Sequence, residues 1–353
     1  MESPKLPPKL AIIGAGSWGT ALAAHAARQG LGVTIWARKT EVADHINKLR
    51  ENPAFLPGLK LPGSIRAVND LKEVLAGQKL ILMVVPSHVM RNIASAMAPF
   101  LEPGTVVISA SKGIEDETAA TMAQILDEEL KCCPGLDVGA ISGPSFALEV
   151  ARGLPTGVTL AMRSRAMAKA VQVHLSSPTF RIYTSMDLIG VELGGALKNV
   201  YAIATGICDG FDLGLNARAA MLPRALGEMS RMAVAMGANP MTLMGLSGVG
   251  DLILTATGDL SRNRTVGLRL GRGEKLDQIM AGSREVAEGI RNARSVRNMS
   301  IRHQVKMPIA REVYRILYEG KEPRQGMVDL LTRRLKDELD PRYESFGTEN
   351  GEG

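Results

Sequence analysis

The chain is 353 residues long, which is enough for two domains that each bury a hydrophobic core. Apolar residues make up 45% of the chain and the formal net charge is +6, a composition typical of a soluble globular protein with anionic ligands. The basic residues are scattered among acidic ones and lack interleaved aromatic residues, so we expect no nucleic-acid partner. No segment reaches the ~18 consecutive apolar residues of a membrane span.

The three cysteines indicate a reducing compartment. Cys132 and Cys133 are adjacent and cannot easily form a disulfide with each other, and Cys208 lies far from both in the sequence. None has the spacing of metal ligands, so we expect no metal site. The first residues contain three prolines and no apolar core of signal-peptide length. We therefore expect a cytoplasmic protein.

The first predicted element is a strand over residues 9–13 that runs into a glycine-rich turn. Gly14, Gly16 and Gly19 form the pattern GxGxxG, and an alanine-rich helix follows. In a dinucleotide-binding unit these glycines allow the tight turn, the approach of a pyrophosphate and close helix–strand packing. Because residues 33–36 supply the next strand, the pattern predicts a dinucleotide site rather than a merely structural turn.

The end of that second strand bears on the choice of cofactor. An acidic residue there would bind the ribose 2′-hydroxyl of NAD, whereas this chain has Arg38 and Lys39. A guanidinium suits the 2′-phosphate of NADP. The sequence therefore favours NADP over NAD, although basic residues at an exposed strand end are common.

Further strands continue an α/β pattern up to about residue 190. Each of the predicted strands ends in small or polar residues, as expected for loops at the carboxyl edge of an open sheet. Lys112 follows one of them and is either a solvated loop residue or a contact to a phosphate or carbonyl group. Residues 52–63 are rich in proline and glycine and predict a long loop. The predicted strands cover residues 80–85, 105–109 and 138–142, with 157–161 and 180–184 as further candidates.

After residue 190 helical patterns dominate, such as residues 217–236. We predict a Rossmann-like, doubly wound sheet in residues 1–190 and a mostly α-helical substrate domain in residues 191–338. Residues 339–353 are polar and predict a disordered tail.

Lys198 lies on a predicted helix at the start of the second half. Its neighbours three and four positions away include Gly194 and Gly195 but no carboxylate. Two glycines cost roughly 1 kcal/mol each inside a helix, so something must approach this backbone closely. Lys198 is either a helix-edge lysine that reaches solvent or a functional group whose ion-pair partner comes from another element.

Two downstream segments offer such groups. Asp251 follows a glycine-rich stretch and precedes Thr255 by four residues; it could cap a helix and also pair with a lysine. Ser261, Arg262 and Asn263 follow a Gly–Asp turn and form either a solvated loop or part of a site.

These motifs together resemble the bacterial NAD(P)-dependent glycerol-3-phosphate dehydrogenases. The resemblance covers roughly residues 8–335 in the family's order, and the Gly-Pro-Ser-Phe-Ala and Leu-Lys-Asn-Val segments are more specific than the glycine pattern. It implies interconversion of glycerol 3-phosphate and dihydroxyacetone phosphate with NADP or NAD, supplying phospholipid synthesis. The matching segments are residues 14–19, 111–113, 142–147, 197–199, 250–252 and 261–263.

The resemblance also assigns roles to residues of this chain. Lys198 becomes the proton acceptor in the oxidative direction, with Asp251 as its partner. The implied cofactor contacts, besides Gly14, Gly16 and Gly19, are Ser17, Trp18, Arg38, Lys39, Lys112, Ala147, Arg262, Val286 and Glu288. The implied substrate contacts are Lys112, Gly143, Ser145, Lys198, Asp251, Ser261, Arg262 and Asn263, with Asn199 and Thr255 as additional members.

Three alternatives stay open at this point. A dehydrogenase of the same two-domain plan could act on a 3-hydroxy acid. A non-catalytic NADP-binding sensor or scaffold would bind the dinucleotide without turnover, and a nucleic-acid binder would show salt-sensitive binding. A homodimer is compatible with every one of these hypotheses.

Overall fold

One eight-stranded sheet carries the first half of the chain in the computed structural model, which describes residues 4–281, 287–335 and 337–338. The strand order is β3-β2-β1-β4-β5-β6-β7-β8, so the direction of winding reverses between β1 and β4. Ligands of open α/β sheets bind outside the carboxyl ends of strands at such a reversal. The strands are β1 Lys9–Ile13, β2 Gly32–Trp36, β3 Ile65–Val68, β4 Leu80–Met83, β5 Val106–Ser109, β6 Asp137–Ser142, β7 Thr156–Met162 and β8 Phe180–Ser185.

Helices cover the sheet and form most of the second half. The predicted α/β fold with a mostly helical second half is confirmed. The helices are α1 Ser17–Arg28, α2 Thr40–Leu49, α3 Leu71–Leu75, α4 Met90–Met97, α5 Met122–Glu129, α6 Ala147–Ala151, α7 Arg165–Leu175, α8 Leu188–Gly210, α9 Gly214–Ala235, α10 Asp251–Thr257, α11 Arg262–Gly271, α12 Leu276–Ala281, α13 Glu288–Arg302, α14 Pro308–Tyr318 and α15 Pro323–Leu331.

The sheet differs from the sequence prediction in two places. The strand β3 was missed, because the charged Arg66 interrupts its short apolar run Ile65–Val68. The two candidate segments at residues 157–161 and 180–184 do form strands, β7 and β8. However, β7 pairs antiparallel with β6. The carboxyl ends of β7 and β8 therefore point away from the edge formed by β1 to β6.

The helix α8 connects the two halves and is buried along most of its length. It begins at Leu188, so the predicted division at residues 190 and 191 falls within its first turn; that division stays a prediction. The predicted helix at residues 217–236 is α9 and contains Pro223. The predicted tail at residues 339–353 lies outside the described residues.

Glycines on both helices bring α8 and α11 into direct backbone contact. A Cβ at Gly206 would lie 2.1 Å from the carbonyl oxygen of Arg264, and one at Gly267 would lie 2.0 Å from that of Ile203. Gly210 and Gly271 meet in the same way one turn further along. Because no side chain separates the helices there, the first residues of α11 lie close to the middle of α8.

None of the described helices is both long enough and apolar enough to cross a membrane.

Candidate active site

Lys198 lies at the centre of a buried cluster of polar groups. Its Nζ donates hydrogen bonds to Oδ1 of Asp251 and, at 2.6 Å, to Oγ1 of Thr255. Asp251 and Thr255 stand one turn apart on α10, and the Thr255 hydroxyl also donates to Asp251 at 3.3 Å. The expected ion-pair partner of Lys198 therefore comes from another element, and Lys198 does not reach solvent as a helix-edge lysine would.

Lys112 shares the same carboxylate. Its Nζ donates to Oδ2 of Asp251 at 2.7 Å and to the carbonyl oxygen of Gly143 at 2.9 Å. The loop after β5 and the loop after β6 therefore meet α10 at this point. Lys112 is a carbonyl and carboxylate contact, not a solvated loop lysine.

Burial changes the acid strength of Lys198. The side chain is 7% exposed, and this burial is the main cause that lowers its pKa to about 7, with Lys112 acting in the same direction. Asp251 acts in the opposite direction. An ammonium with a pKa near neutrality can both give and take a proton at physiological pH.

The two glycines beside Lys198 are explained by close approach, as expected. A Cβ at Gly194 would lie 2.3 Å from the carbonyl oxygen of Ser247, and one at Gly195 would lie 2.4 Å from the hydroxyl of Ser142. Ser247 belongs to a turn of π-helix over Leu246–Gly250 that runs directly into α10. Because Gly250 is helical, Asp251 is not the helix cap that its position suggested, and its carboxylate is available to the lysines.

The glycine turn after β1 has the geometry of a dinucleotide cradle. A Cβ at Gly14 would lie 2.4 Å from the carbonyl oxygen of Val84, and one at Gly19 would lie 1.9 Å from that of Gly14. A Cβ at Gly16 would meet nothing within 4 Å. The backbone at Gly16 is thus open to a phosphate at the N-terminus of α1, which favours negative charge.

The side chains around this turn are fixed by the loop that the sequence predicted at residues 52–63. The amide of Asn52 donates to the carbonyl oxygen of Ala15 at 2.9 Å and to the Thr20 hydroxyl at 2.8 Å. Ser17 donates to the carbonyl oxygen of Phe55 at 2.8 Å. The indole nitrogen of Trp18 is buried and has no partner among the described residues, as expected of a donor that awaits a ligand.

The other predicted cofactor residues lie at the same edge of the sheet. Arg38 and Lys39 are exposed just beyond β2, and Ala147 begins α6 after β6. Glu288 begins α13, and its carboxylate accepts a hydrogen bond from Ser87 at 3.0 Å. Val286 lies outside the described residues.

At the start of α11, Ser261 and Asn263 are buried and do not form a solvated loop, whereas Arg262 is exposed. Ser261 caps the helix by accepting a hydrogen bond from the Arg264 amide at 3.2 Å. Asn263 donates to the amide oxygen of Asn199 at 2.9 Å and accepts from the Gly289 amide at 2.9 Å. These bonds connect α8, α11 and α13.

Gly143 and Ser145 follow β6. Gly143 has φ +142, and a Cβ there would lie 2.9 Å from Cα of Val158, so a larger residue does not fit. The Ser145 hydroxyl donates to the carbonyl oxygen of Gly143 at 3.0 Å. Both residues lie beside Lys112, which belongs to the loop after β5.

Comparisons with known proteins match both halves of the chain. The model described as the N-terminus of NAD-dependent glycerol-3-phosphate dehydrogenase matches residues 9–168, and the model of its C-terminus matches residues 187–328. The chain belongs to this family. The curated glycerol-3-phosphate dehydrogenase [NAD(P)+] of Syntrophobacter fumaroxidans is 51% identical over 94% of this chain and 97% of its own length.

Solved structures of the family have the same fold. The glycerol-3-phosphate dehydrogenase of Coxiella burnetii matches with a TM-score of 0.88 at 39% identity, covering 93% of this chain and 99% of that one. The enzyme of Saccharomyces cerevisiae matches with a TM-score of 0.78 at 25% identity, covering 92% and 99%. The resemblance inferred from the motifs is thereby confirmed.

In this glycerol-3-phosphate dehydrogenase family member, two polar residues that connect elements of the candidate site were not identified from the sequence. Ser87 and Asn292 were missed: Ser87 contacts Glu288, and the Asn292 amide donates to the carbonyl oxygen of Ala196 at 3.0 Å. Ser87 follows the strand-ending Pro86 and could have been found as a further polar residue at the carboxyl edge. Asn292 lies within a helical pattern and carries no such signal.

Proposed function

We propose that the protein interconverts sn-glycerol 3-phosphate and dihydroxyacetone phosphate with NADPH or NADH, and so supplies glycerol 3-phosphate for phospholipid synthesis. The observation that supports this most strongly is the buried group of Lys198, Lys112, Asp251 and Thr255 at the carboxyl edge of the sheet, in a chain whose relatives have this activity in their names.

The chemistry follows from the environment of Lys198. A bound nicotinamide dinucleotide supplies the hydride for the reduction. As the ketone is reduced, negative charge develops on its oxygen, and the Lys198 ammonium stabilises this charge and donates the proton. In the oxidative direction the neutral amine accepts the proton. Asp251 and Thr255 hold Nζ of Lys198 in place, which aligns it before the substrate arrives.

We propose that the phosphate of the substrate contacts the first turn of α11. The helix N-terminus favours negative charge, and an arginine can bind a phosphate through two parallel hydrogen bonds. Asn199 and Asn263 are already hydrogen-bonded to each other beside it. The proposed substrate contacts are Lys112, Gly143, Ser145, Lys198, Asn199, Asp251, Thr255, Ser261, Arg262 and Asn263.

The cofactor would lie across the edge between β2 and β6. The open backbone at Gly16 and the unpartnered indole of Trp18 support this position, and Arg38 supports a preference for NADP. The proposed contacts are Gly14, Gly16, Ser17, Trp18, Gly19, Arg38, Lys39, Lys112, Ala147, Arg262, Val286 and Glu288.

The oxidation of NADPH and of NADH by purified protein with dihydroxyacetone phosphate, monitored by absorbance, tests this function. We expect turnover with at least one dinucleotide and faster turnover with NADPH at low concentration. A 3-oxo acid serves as the comparison substrate, because the alternative dehydrogenase would reduce it. Dinucleotide binding without turnover of either substrate would favour the sensor hypothesis.

The dependence of kcat/KM on pH should have opposite signs for the reduction of dihydroxyacetone phosphate and the oxidation of glycerol 3-phosphate. Since burial lowers the Lys198 pKa to about 7, the ammonium needed for reduction is lost as pH rises above that value. We expect kcat/KM for dihydroxyacetone phosphate to fall above about pH 7, and kcat/KM for glycerol 3-phosphate to rise over the same range. Profiles that move in the same direction would contradict Lys198 as the group that exchanges the proton.

We also propose that the protein works in the cytoplasm and forms a homodimer. The three cysteines are free thiols, and Cys133 and Cys208 are buried, which suits a reducing compartment. Light scattering on the purified protein tests the homodimer.

A further inference from the structure

Three exposed cationic or titratable side chains border the sheet reversal where a dinucleotide would lie. Arg38 follows β2, His88 follows β4 and Arg291 stands on the first turn of α13. His88 and Arg291 belong to none of the contacts described so far. Within the described residues, none of the three forms an ion pair with a carboxylate.

The sheet register brings the first two together. β1 lies between β2 and β4, and Trp36 and Met83 both pair with Ile13. Because neighbouring strands are about 4.8 Å apart, the ends of β2 and β4 are about 10 Å apart. The backbone of Arg38 is fixed by Asn69, whose amide donates to the Arg38 carbonyl oxygen at 2.7 Å.

The helix α13 brings the third side chain to the same place. Ser87, next to His88, donates a hydrogen bond to Glu288 at 3.0 Å. On its other side Ser87 packs against Gly113, where an added Cβ would overlap it. The turn that contains Ser87 and His88 is therefore held between the loop after β5 and α13. Arg291 stands three residues after Glu288 and therefore lies on the same face of the helix.

The charges of both arginines act on the imidazole of His88. The pKa of His88 is lowered, first by partial burial and then by the charges of Arg291 and Arg38; Asp116 acts in the opposite direction. Asp116 is itself engaged by the hydroxyl of Ser295. The positive charges of Arg38 and Arg291, which lie on two different elements, thus both act at the exposed spot where His88 lies, an arrangement that favours an anion there.

We propose that His88 and Arg291 form, together with Arg38, the subsite that binds the 2′-phosphate of NADPH. This inference rests on the proposed preference for NADP. It adds His88 and Arg291 to the residues that determine cofactor specificity, and Arg291 comes from the helical half of the chain. A 2′-phosphate carries close to two negative charges, and a guanidinium can bind it through two parallel hydrogen bonds.

Nucleotide fragments without nicotinamide test the subsite independently of catalysis. The full chain is titrated calorimetrically with adenosine 2′,5′-bisphosphate and with adenosine 5′-monophosphate, and the readout is the ratio of the two Kd values. We expect the wild-type protein to bind the bisphosphate more tightly. Arg291→Met should reduce that preference ~10-fold, the loss of one hydrogen bond to a charged group, and His88→Gln should reduce it ~3-fold.

Matched variants separate a local contact from a general effect. Arg297→Met removes the same charge from the same helix about 9 Å further along, where the guanidinium lies over the ring of Tyr314. The Arg297→Met protein should prefer the bisphosphate as strongly as the wild type does. Arg291→Lys keeps the charge and should restore part of the preference. Melting temperatures without nucleotide check that each variant is folded.

Two results would overturn the proposal, and they differ in what else they affect. If the wild type prefers the bisphosphate and the preference survives in Arg291→Met and His88→Gln, the subsite is wrong while the preference for NADP stands. If the wild type shows no preference between the two nucleotides, the preference for NADP and the subsite both fail. Turnover of dihydroxyacetone phosphate with NADH would leave the dehydrogenase function intact in either case.

Discussion

Replacing Lys198 with methionine should lower kcat by at least ~10²-fold, because general acid–base catalysis typically contributes ~10²–10⁴-fold. The variant should still fold, since Asp251 keeps its ion pair with Lys112 when Lys198 is removed. Dinucleotide binding should survive, because the cradle around Gly16 belongs to another element. Turnover and NADPH binding by fluorescence are measured on the same preparation.

A matched control and a second variant sharpen this test. Lys169→Met changes an exposed lysine on α7 and should leave turnover at the wild-type level. Asp251→Asn should lower kcat as well, and the double variant should lose much less than the product of the two single losses if the pair acts as one unit. Near-wild-type turnover by a Lys198→Met protein that binds NADPH would refute the mechanism.

Gly267→Ala should destabilise the protein by about 3 kcal/mol, at the upper end of the usual cost of overpacking. The added Cβ would lie 2.0 Å from the backbone carbonyl oxygen of Ile203, and a backbone atom cannot move aside as a flexible side chain can. The helices α8 and α11 would have to separate. We expect a lower midpoint in denaturant unfolding, together with a higher KM for the phosphorylated substrate.

Gly227→Ala provides the control for this prediction. Gly227 is also inside a helix, α9, but its nearest neighbour is the far end of the Arg231 side chain at 3.5 Å. Alanine there should stabilise the protein by about 0.4–1 kcal/mol, because it restricts the unfolded chain. Equal effects of the two substitutions would show that helix propensity, and not contact between α8 and α11, sets the stability.

Local patterns predicted much of the fold and the chemistry. The strand–glycine–helix unit at residues 9–27 and the buried runs of β4 to β6 can be recognised from the sequence because each is contiguous and strongly apolar. The absence of a carboxylate near Lys198 on its own helix, with glycines beside it, indicated that a partner would come from elsewhere. Asp251 is that partner.

The remaining features depend on residues that are distant in sequence. The antiparallel pairing of β7 with β6 leaves no mark on the apolar pattern of either strand. Lys112 and Lys198 share one carboxylate only because the loop after β5 and the helix α8 both meet α10. The glycines of α8 and of α11 each occur within an ordinary helical pattern. Only the packing of the two helices against each other explains why glycines are present at these positions on both helices.

The sharing of Asp251 by two lysines has a consequence for the origin of the transferred proton. The three groups carry a net charge of +1 when Lys198 is protonated and of zero when it is neutral. A phosphorylated substrate brings negative charge close to −2, which favours the ammonium and raises its pKa above the value near 7 of the free protein. Above neutrality, substrate binding is therefore accompanied by proton uptake from solvent, and calorimetric heats of binding include the ionisation heat of the buffer. The proton for the reduction is thus collected during binding, before any bond in the substrate changes.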